Sequence, residues 1–83
     1  MGLDGVELVM AVEESFGITL SDAEAFEAVT VGGIVQLAWS KVEDQGDWNQ
    51  SRVREIVHQH VRDYLGVRFC QDSDRLVEDL GME

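Results

Sequence analysis

The chain contains no proline in 83 residues, and its apolar residues recur at helical spacing in three separate stretches. Proline is the strongest helix breaker, so its absence fits a chain built mainly of helices. A chain of this length forms one domain with one core, which we expect to span residues 1–83. The pattern therefore predicts an all-α protein folded as a four-helix bundle.

Local signals set the bounds of the first two predicted helices. An apolar stripe predicts a helix over residues 4–16, and Gly17 is expected to end it. Ser21 and Glu24 match the capping box, in which each residue satisfies a backbone N–H of the other. A short second helix over 22–28 follows from that match.

The second half of the chain carries two longer helical patterns. Thr30 is expected to cap a third helix over 31–42, and Ser51 to cap the longest helix, which ends at Gly66. The predicted buried face of this longest helix consists of Val53, Ile56, Val57, Val61, Tyr64 and Leu65. A single helical turn is expected over residues 76–81 after an irregular segment.

Negative charge dominates the chain and is concentrated in its first half. Seventeen acids against six Lys and Arg give a formal net charge of −11, and residues 1–47 hold ten acids against only Lys41. Such a chain repels nucleic acid, which is bound mainly through Lys and Arg, and its field attracts basic protein surfaces. The alternative is an acidic face that serves only solubility.

The single Cys70 excludes an internal disulfide and favours a reducing, cytoplasmic location. We find no stretch of membrane-spanning length and no signal-peptide pattern at the start, so no membrane partner is expected.

The stretch from Leu3 to Ile18, LDGVELVMAVEESFGI, resembles the second helix of acyl carrier proteins, the helix that their partner enzymes read. Residues 20–25 and 29–32 resemble the short third helix of that family and the start of its fourth. These segments follow one another in the family's order. The resemblance implies the helical bundle of an acyl carrier protein.

The remaining segments resemble the beginning of the same family. Residues 53–57 and 64–67 are similar to its first helix, and 76–81 to the segment that leads into its attachment motif. The resemblance therefore implies a circular permutation. Residues 3–42 match the family's second to fourth helices, 43–51 form a linker, and 52–81 match its first helix and the following loop.

The resemblance fails at the residue that defines carrier activity. In the family, a serine at the start of the second helix carries 4′-phosphopantetheine, and this position falls on Gly2, which has no hydroxyl to modify. We therefore expect no cofactor on this chain. Ser73 is a poor substitute because no recognition helix follows it, and Cys70 has no neighbouring base to make it a reactive thiolate.

The resemblance implies an interaction module that docks on acyl-processing enzymes of the fatty acid or polyketide type through basic patches on those enzymes. The expected contact residues are Leu3, Asp4, Val6, Glu7, Met10, Glu13 and Glu14. The alternative is a working acyl carrier protein whose serine at Gly2 was lost through a misplaced start codon, a gene fragment or a cloning change.

The sequence gives little support for catalytic activity or for a metal site. No triad or phosphate-binding loop is present, so the chain is not expected to be an enzyme. His58 and His60 are two residues apart on a helix and face different directions, and Asp72 and Asp74 match a calcium loop only in part. No metal site is predicted. A monomer and a dimer that exchanges helices both remain possible.

Overall fold

The computed structural model describes residues 3–76 and 78–80, and it leaves the side chains of residues 3–6, 22 and 26 undescribed. Four α-helices follow one another: α1 (Leu3–Phe16), α2 (Asp22–Glu27), α3 (Val31–Val42) and α4 (Gln50–Leu65). A single 3₁₀ turn, Glu43–Gln45, extends the end of α3. The described residues form no strand, so the all-α prediction is confirmed.

The helices begin and end largely where local chemistry predicts. Ser21 and Glu24 form the capping box of α2, and the Thr30 side chain accepts from Gly33 N at the start of α3. Gly17 and Gly66 follow α1 and α4 in the left-handed conformation, with φ of 64° and 68°. That conformation favours glycine, and it closes both helices.

The prediction that Ser51 caps α4 is wrong. Asn49 is the N-cap, and its side-chain oxygen accepts from Arg52 N at 2.8 Å. The helix therefore begins at Gln50, inside the stretch assigned to the linker. Asn49 has the extended backbone that an N-cap requires, with φ −118° and ψ 161°.

One core joins the elements. α4 packs against both α1 and α3, whereas α2 packs against α3. Phe16 meets Trp48 edge to face with ring centroids 4.9 Å apart, which anchors the loop before α4 to the end of α1. The buried apolar residues of the long helices include Leu8, Val12, Phe16, Val31, Ile34, Val35, Ala38, Val42, Val53, Val57 and Val61.

The segment of residues 70–76, which we call the crossing segment, runs from α4 back to the start of α3. Its carbonyls at Asp74 and Asp72 accept from Val31 N at 3.0 Å and Gly32 N at 2.8 Å. The first four N–H groups of a helix have no partner within the helix, and these bonds satisfy two of them. At the end of the crossing segment, Asp79 N and Leu80 N donate to the Arg75 carbonyl at 2.9 Å and 3.1 Å. The helical turn predicted over 76–81 includes Val77 and Gly81, which lie outside the described residues.

Candidate partner-docking surface

An acidic face runs along α1. Glu7 and Glu14 are exposed, and Met10 between them is 53% exposed. Residues three, four and seven apart lie on one side of a helix, so these three side chains form a continuous stripe. Among the residues that the structure describes, neither Glu7 nor Glu14 takes part in an ion pair.

A shallow pocket of about 330 Å³ lies between α1 and α4. Glu7, Met10, Ala11 and Glu14 line it from α1, and Tyr64 lines it from α4. We call this surface the α1–α4 groove. Tyr64 was predicted to lie on the buried face of α4, yet it is 39% exposed because it stands at the edge of that face.

A polar contact sets the alignment of the two helices beside the groove. The Ser15 hydroxyl and His60 Nε2 are hydrogen-bonded at 2.6 Å, and the His60 and Tyr64 rings lie 6.1 Å apart. Because Phe16 at the end of α1 meets Trp48 just before α4, while Tyr64 near the end of α4 lies beside Glu7 and Met10 of α1, the two helices run antiparallel. His60 and Tyr64 are therefore the α4 residues that position this surface.

Glu13 differs from the other predicted contact residues. Its Oε2 accepts from Leu20 N at 3.0 Å, and its side chain is only partly exposed. This bond ties the loop after α1 to the helix. Glu13 thus has a structural partner that Glu7 and Glu14 lack among the described residues.

The start of α1 is described only as backbone. Leu3, Asp4 and Val6 belong to the helix, but their side chains lie outside the described part of the chain. Gly2 lies outside the described residues altogether.

A second charged cluster holds the crossing segment. Asp72 accepts from Arg54 Nε at 2.9 Å and from His58 Nε2 at 2.6 Å. Burial raises the pKa of Asp72, but the hydrogen bonds from His58 and Arg54 outweigh it and hold the pKa below its usual range. These hydrogen bonds therefore hold the crossing segment against α4.

The remaining candidates make local contacts. Asp74, the other acid of the partial calcium pattern, accepts from Gln71 N at 2.8 Å. Cys70 is buried, and burial raises the pKa of its thiol, which disfavours the thiolate. Ser73 is exposed in the turn beside Asp72.

Lys41 joins α3 to α2 through Glu24 at 2.8 Å. Hydrogen bonds from Lys41 and then from the Ser21 backbone and side chain lower the pKa of Glu24 to about 2. A pocket of about 280 Å³ beside this pair is lined by Glu24, Glu27, Ala28, Gly33 and Leu37.

The described residues include no group of three or more side chains placed to hold a metal ion. None of the helices in this part of the chain has the length and apolar character needed to cross a membrane.

The fold and its exposed features define a small helical bundle with an acidic first helix. Three acyl carrier proteins are similar to this chain over 34 residues, which is 41% of its length. The protein from Helicobacter acinonychis (strain Sheeba) is 53% identical with 44% of its own length covered, and that from Wolinella succinogenes is 56% identical with 45% covered. The protein from Helicobacter pylori (strain G27) is 50% identical with 44% covered.

This similarity supports a relationship to acyl carrier proteins over part of the chain. The match covers less than half the length of these relatives. No protein-family model matches the chain. No solved structure matches it either.

Proposed function

We propose that this chain is an acyl-carrier-like module that docks on acyl-processing enzymes of the fatty acid or polyketide type through the acidic face of α1. The observation that carries the proposal is the exposed stripe of Glu7, Met10 and Glu14. Two carboxylates beside an exposed methionine suit a basic protein patch with apolar contacts at its centre. The partial identity with acyl carrier proteins supports the choice of partner class.

Charge reversal on this face tests the proposal. We expect Glu7→Lys with Glu14→Lys to weaken binding to a purified acyl-processing enzyme with a basic docking patch by at least tenfold, measured by calorimetry. Glu55→Lys with Asp63→Lys makes the same change in net charge at exposed positions of α4 and serves as the matched control. Equal binding by wild type and the α1 variant would end the docking proposal.

The proposed permuted order makes a separate structural demand. It requires residue 81 to lie beside the start of α1, where an unpermuted carrier would continue without a break. Buried Leu76 and partly buried Leu80 already pack on the core, which is consistent with this path. Spin labels at Leu3→Cys and Gly81→Cys in a Cys70→Ser background should show a short distance, whereas ends at opposite poles of a monomer would refute the permutation.

We further propose that the chain docks without carrying phosphopantetheine, since Gly2 has no hydroxyl. The alternative is a working acyl carrier protein whose serine at Gly2 was lost through a misplaced start codon, a gene fragment or a cloning change, and the identity of 50% to 56% over 34 residues is compatible with it. Intact mass after incubation with a phosphopantetheinyl transferase and coenzyme A tests the proposal. An unchanged mass is expected, and a gain of the mass of the phosphopantetheine arm would contradict the proposal. An Asp-Ser-Leu triplet in the genomic sequence next to either end of the chain would establish the alternative.

A further inference from the structure

The α1–α4 groove has an apolar centre between two acidic ends. Ala11 at its floor is 8% exposed, and Met10 and Tyr64 rise beside it with 53% and 39% of their surfaces exposed. Because the methyl of Ala11 is small, the floor is recessed relative to its larger neighbours. The recess suits one apolar side chain of a partner.

The acidic ends are too far apart for one cation. Glu7 and Glu14 are separated by seven residues of α1, which corresponds to about 10 Å along a helix. One guanidinium or ammonium group cannot bridge that span. Two cations that flank an apolar side chain would match both ends and the centre at once.

We infer that the α1–α4 groove binds a basic amphipathic helix of the partner, with arginines at positions i and i+7 and a leucine at i+3 or i+4. Two turns of such a helix repeat the spacing of Glu7 and Glu14, and its leucine falls over Ala11 between Met10 and Tyr64. Arginine fits better than lysine, because its planar fork donates two hydrogen bonds to one carboxylate. This inference rests on the proposed docking function and adds α4 to the contact surface.

A designed peptide tests the spacing directly. The probe is a synthetic helical peptide with this pattern, added to ¹⁵N-labelled protein and followed by NMR. We expect chemical-shift changes around Glu7, Ala11, Glu14 and Tyr64. In a control peptide of the same composition, the arginines stand at i and i+5, so one of them points away from the groove. This peptide should bind at least fivefold more weakly. Equal affinity of the two peptides, or no binding by the first, would overturn the inference.

Variants of Tyr64 test the contribution of α4. Tyr64→Ala should weaken the peptide about fivefold through lost apolar contact, and Tyr64→Phe should bind as wild type does. Phe69→Ala removes a ring that is 72% exposed outside the groove and is the matched control. Met10→Ser, at a site that is 53% exposed, gives a second test of the apolar contact. Thermal denaturation checks that every variant is folded.

The outcomes separate this inference from the proposed function. If Tyr64→Ala and Met10→Ser leave peptide binding unchanged while the Glu7 and Glu14 reversal still abolishes enzyme binding, docking stands and the groove is refuted. If the reversal leaves enzyme binding unchanged but the peptide binds with the expected spacing, the groove stands and the proposed partner class fails.

Discussion

Gly32 shows how a single missing side chain lets two segments meet. A Cβ at this position would lie 3.0 Å from the Asp72 carbonyl oxygen and 3.1 Å from Asp72 Cβ. The sequence indicates only that glycine weakens the first turn of α3. The structure adds that the crossing segment needs the space, because Gly32 N donates to the same carbonyl.

Gly32→Ala should therefore destabilise the protein although alanine is the better helix former. Overpacking against the backbone costs about 1–3 kcal/mol, and the gain in helix propensity returns at most about 1 kcal/mol. We expect a net loss of about 1 kcal/mol in the free energy of unfolding, measured in urea. Gln36→Ala at an exposed site of α3 is the control, and a more stable Gly32→Ala would contradict the packing argument.

Asp72 gives a pH-dependent prediction at the same place. Its folded-state pKa is lowered, so its contribution to stability is present above the unfolded value of about 3.9 and is lost as the pH falls through the folded value. The side chain is 40% exposed, and solvent screening limits the contribution to about 1 kcal/mol.

Asp72→Asn should lower stability at pH 7, and this deficit should shrink as the pH falls below about 4 and vanish below the lowered folded pKa, where the wild-type carboxyl is also protonated. Urea denaturation at pH 7 and pH 3 measures both values. Asp63→Asn, at an exposed position of α4, should show no comparable deficit. A deficit that is the same at both pH values would mean that the interactions of the Asp72 carboxylate with Arg54 and His58 are not its source.

At the scale of the element, helix ends were predictable where the signal is local. The capping box of Ser21 and Glu24 needs only four consecutive residues, and Gly66 needs only its own backbone freedom. Asn49 and Ser51 are both good capping residues, and the sequence alone does not choose between them. Gly46 turns the chain with φ of 78°, and Trp48 packs on Phe16. Together these two features place Asn49 at the N-cap.

The cap of α4 can be tested directly. Asn49→Ala should cost about 1 kcal/mol because it removes the acceptor for Arg52 N. The melting temperature should fall by about 4–8 °C for a domain of this size. Ser51→Ala, inside the first turn, should change stability by less than about 0.5 kcal/mol. The reverse ranking would restore Ser51 as the cap.

The candidate surface was predictable only within one helix. Helical periodicity places Glu7, Met10 and Glu14 on one face, and all three are exposed. The role of Glu13 depends on how the chain folds back at Leu20, and the place of Tyr64 depends on the packing of α4 beside α1. Both are tertiary contacts between segments far apart in sequence or across a turn, which a periodic pattern does not specify.

For the molecule as a whole, salt should act in opposite directions on folding and on docking, because both depend on negative charge. The formal charge of −11 repels itself in the compact state. Raising the salt concentration from about 0.01 M to about 0.1 M shortens the Debye length from about 30 Å to about 10 Å. The melting temperature should therefore rise by a few degrees, while binding to a basic enzyme surface weakens.

The variant with Glu7→Lys and Glu14→Lys should change both the effect of salt on the melting temperature and its effect on enzyme binding. It reduces the net charge to −7, so salt should raise its melting temperature less than that of wild type, and its residual enzyme binding should depend less on salt. The matched variant of Glu55 and Asp63 carries the same net charge and should show the same smaller change in melting temperature. Its binding should keep the salt dependence of wild type, because net charge governs the compact state and the face of α1 governs docking. If both variants lost that dependence equally, the attraction would belong to the overall charge and not to α1.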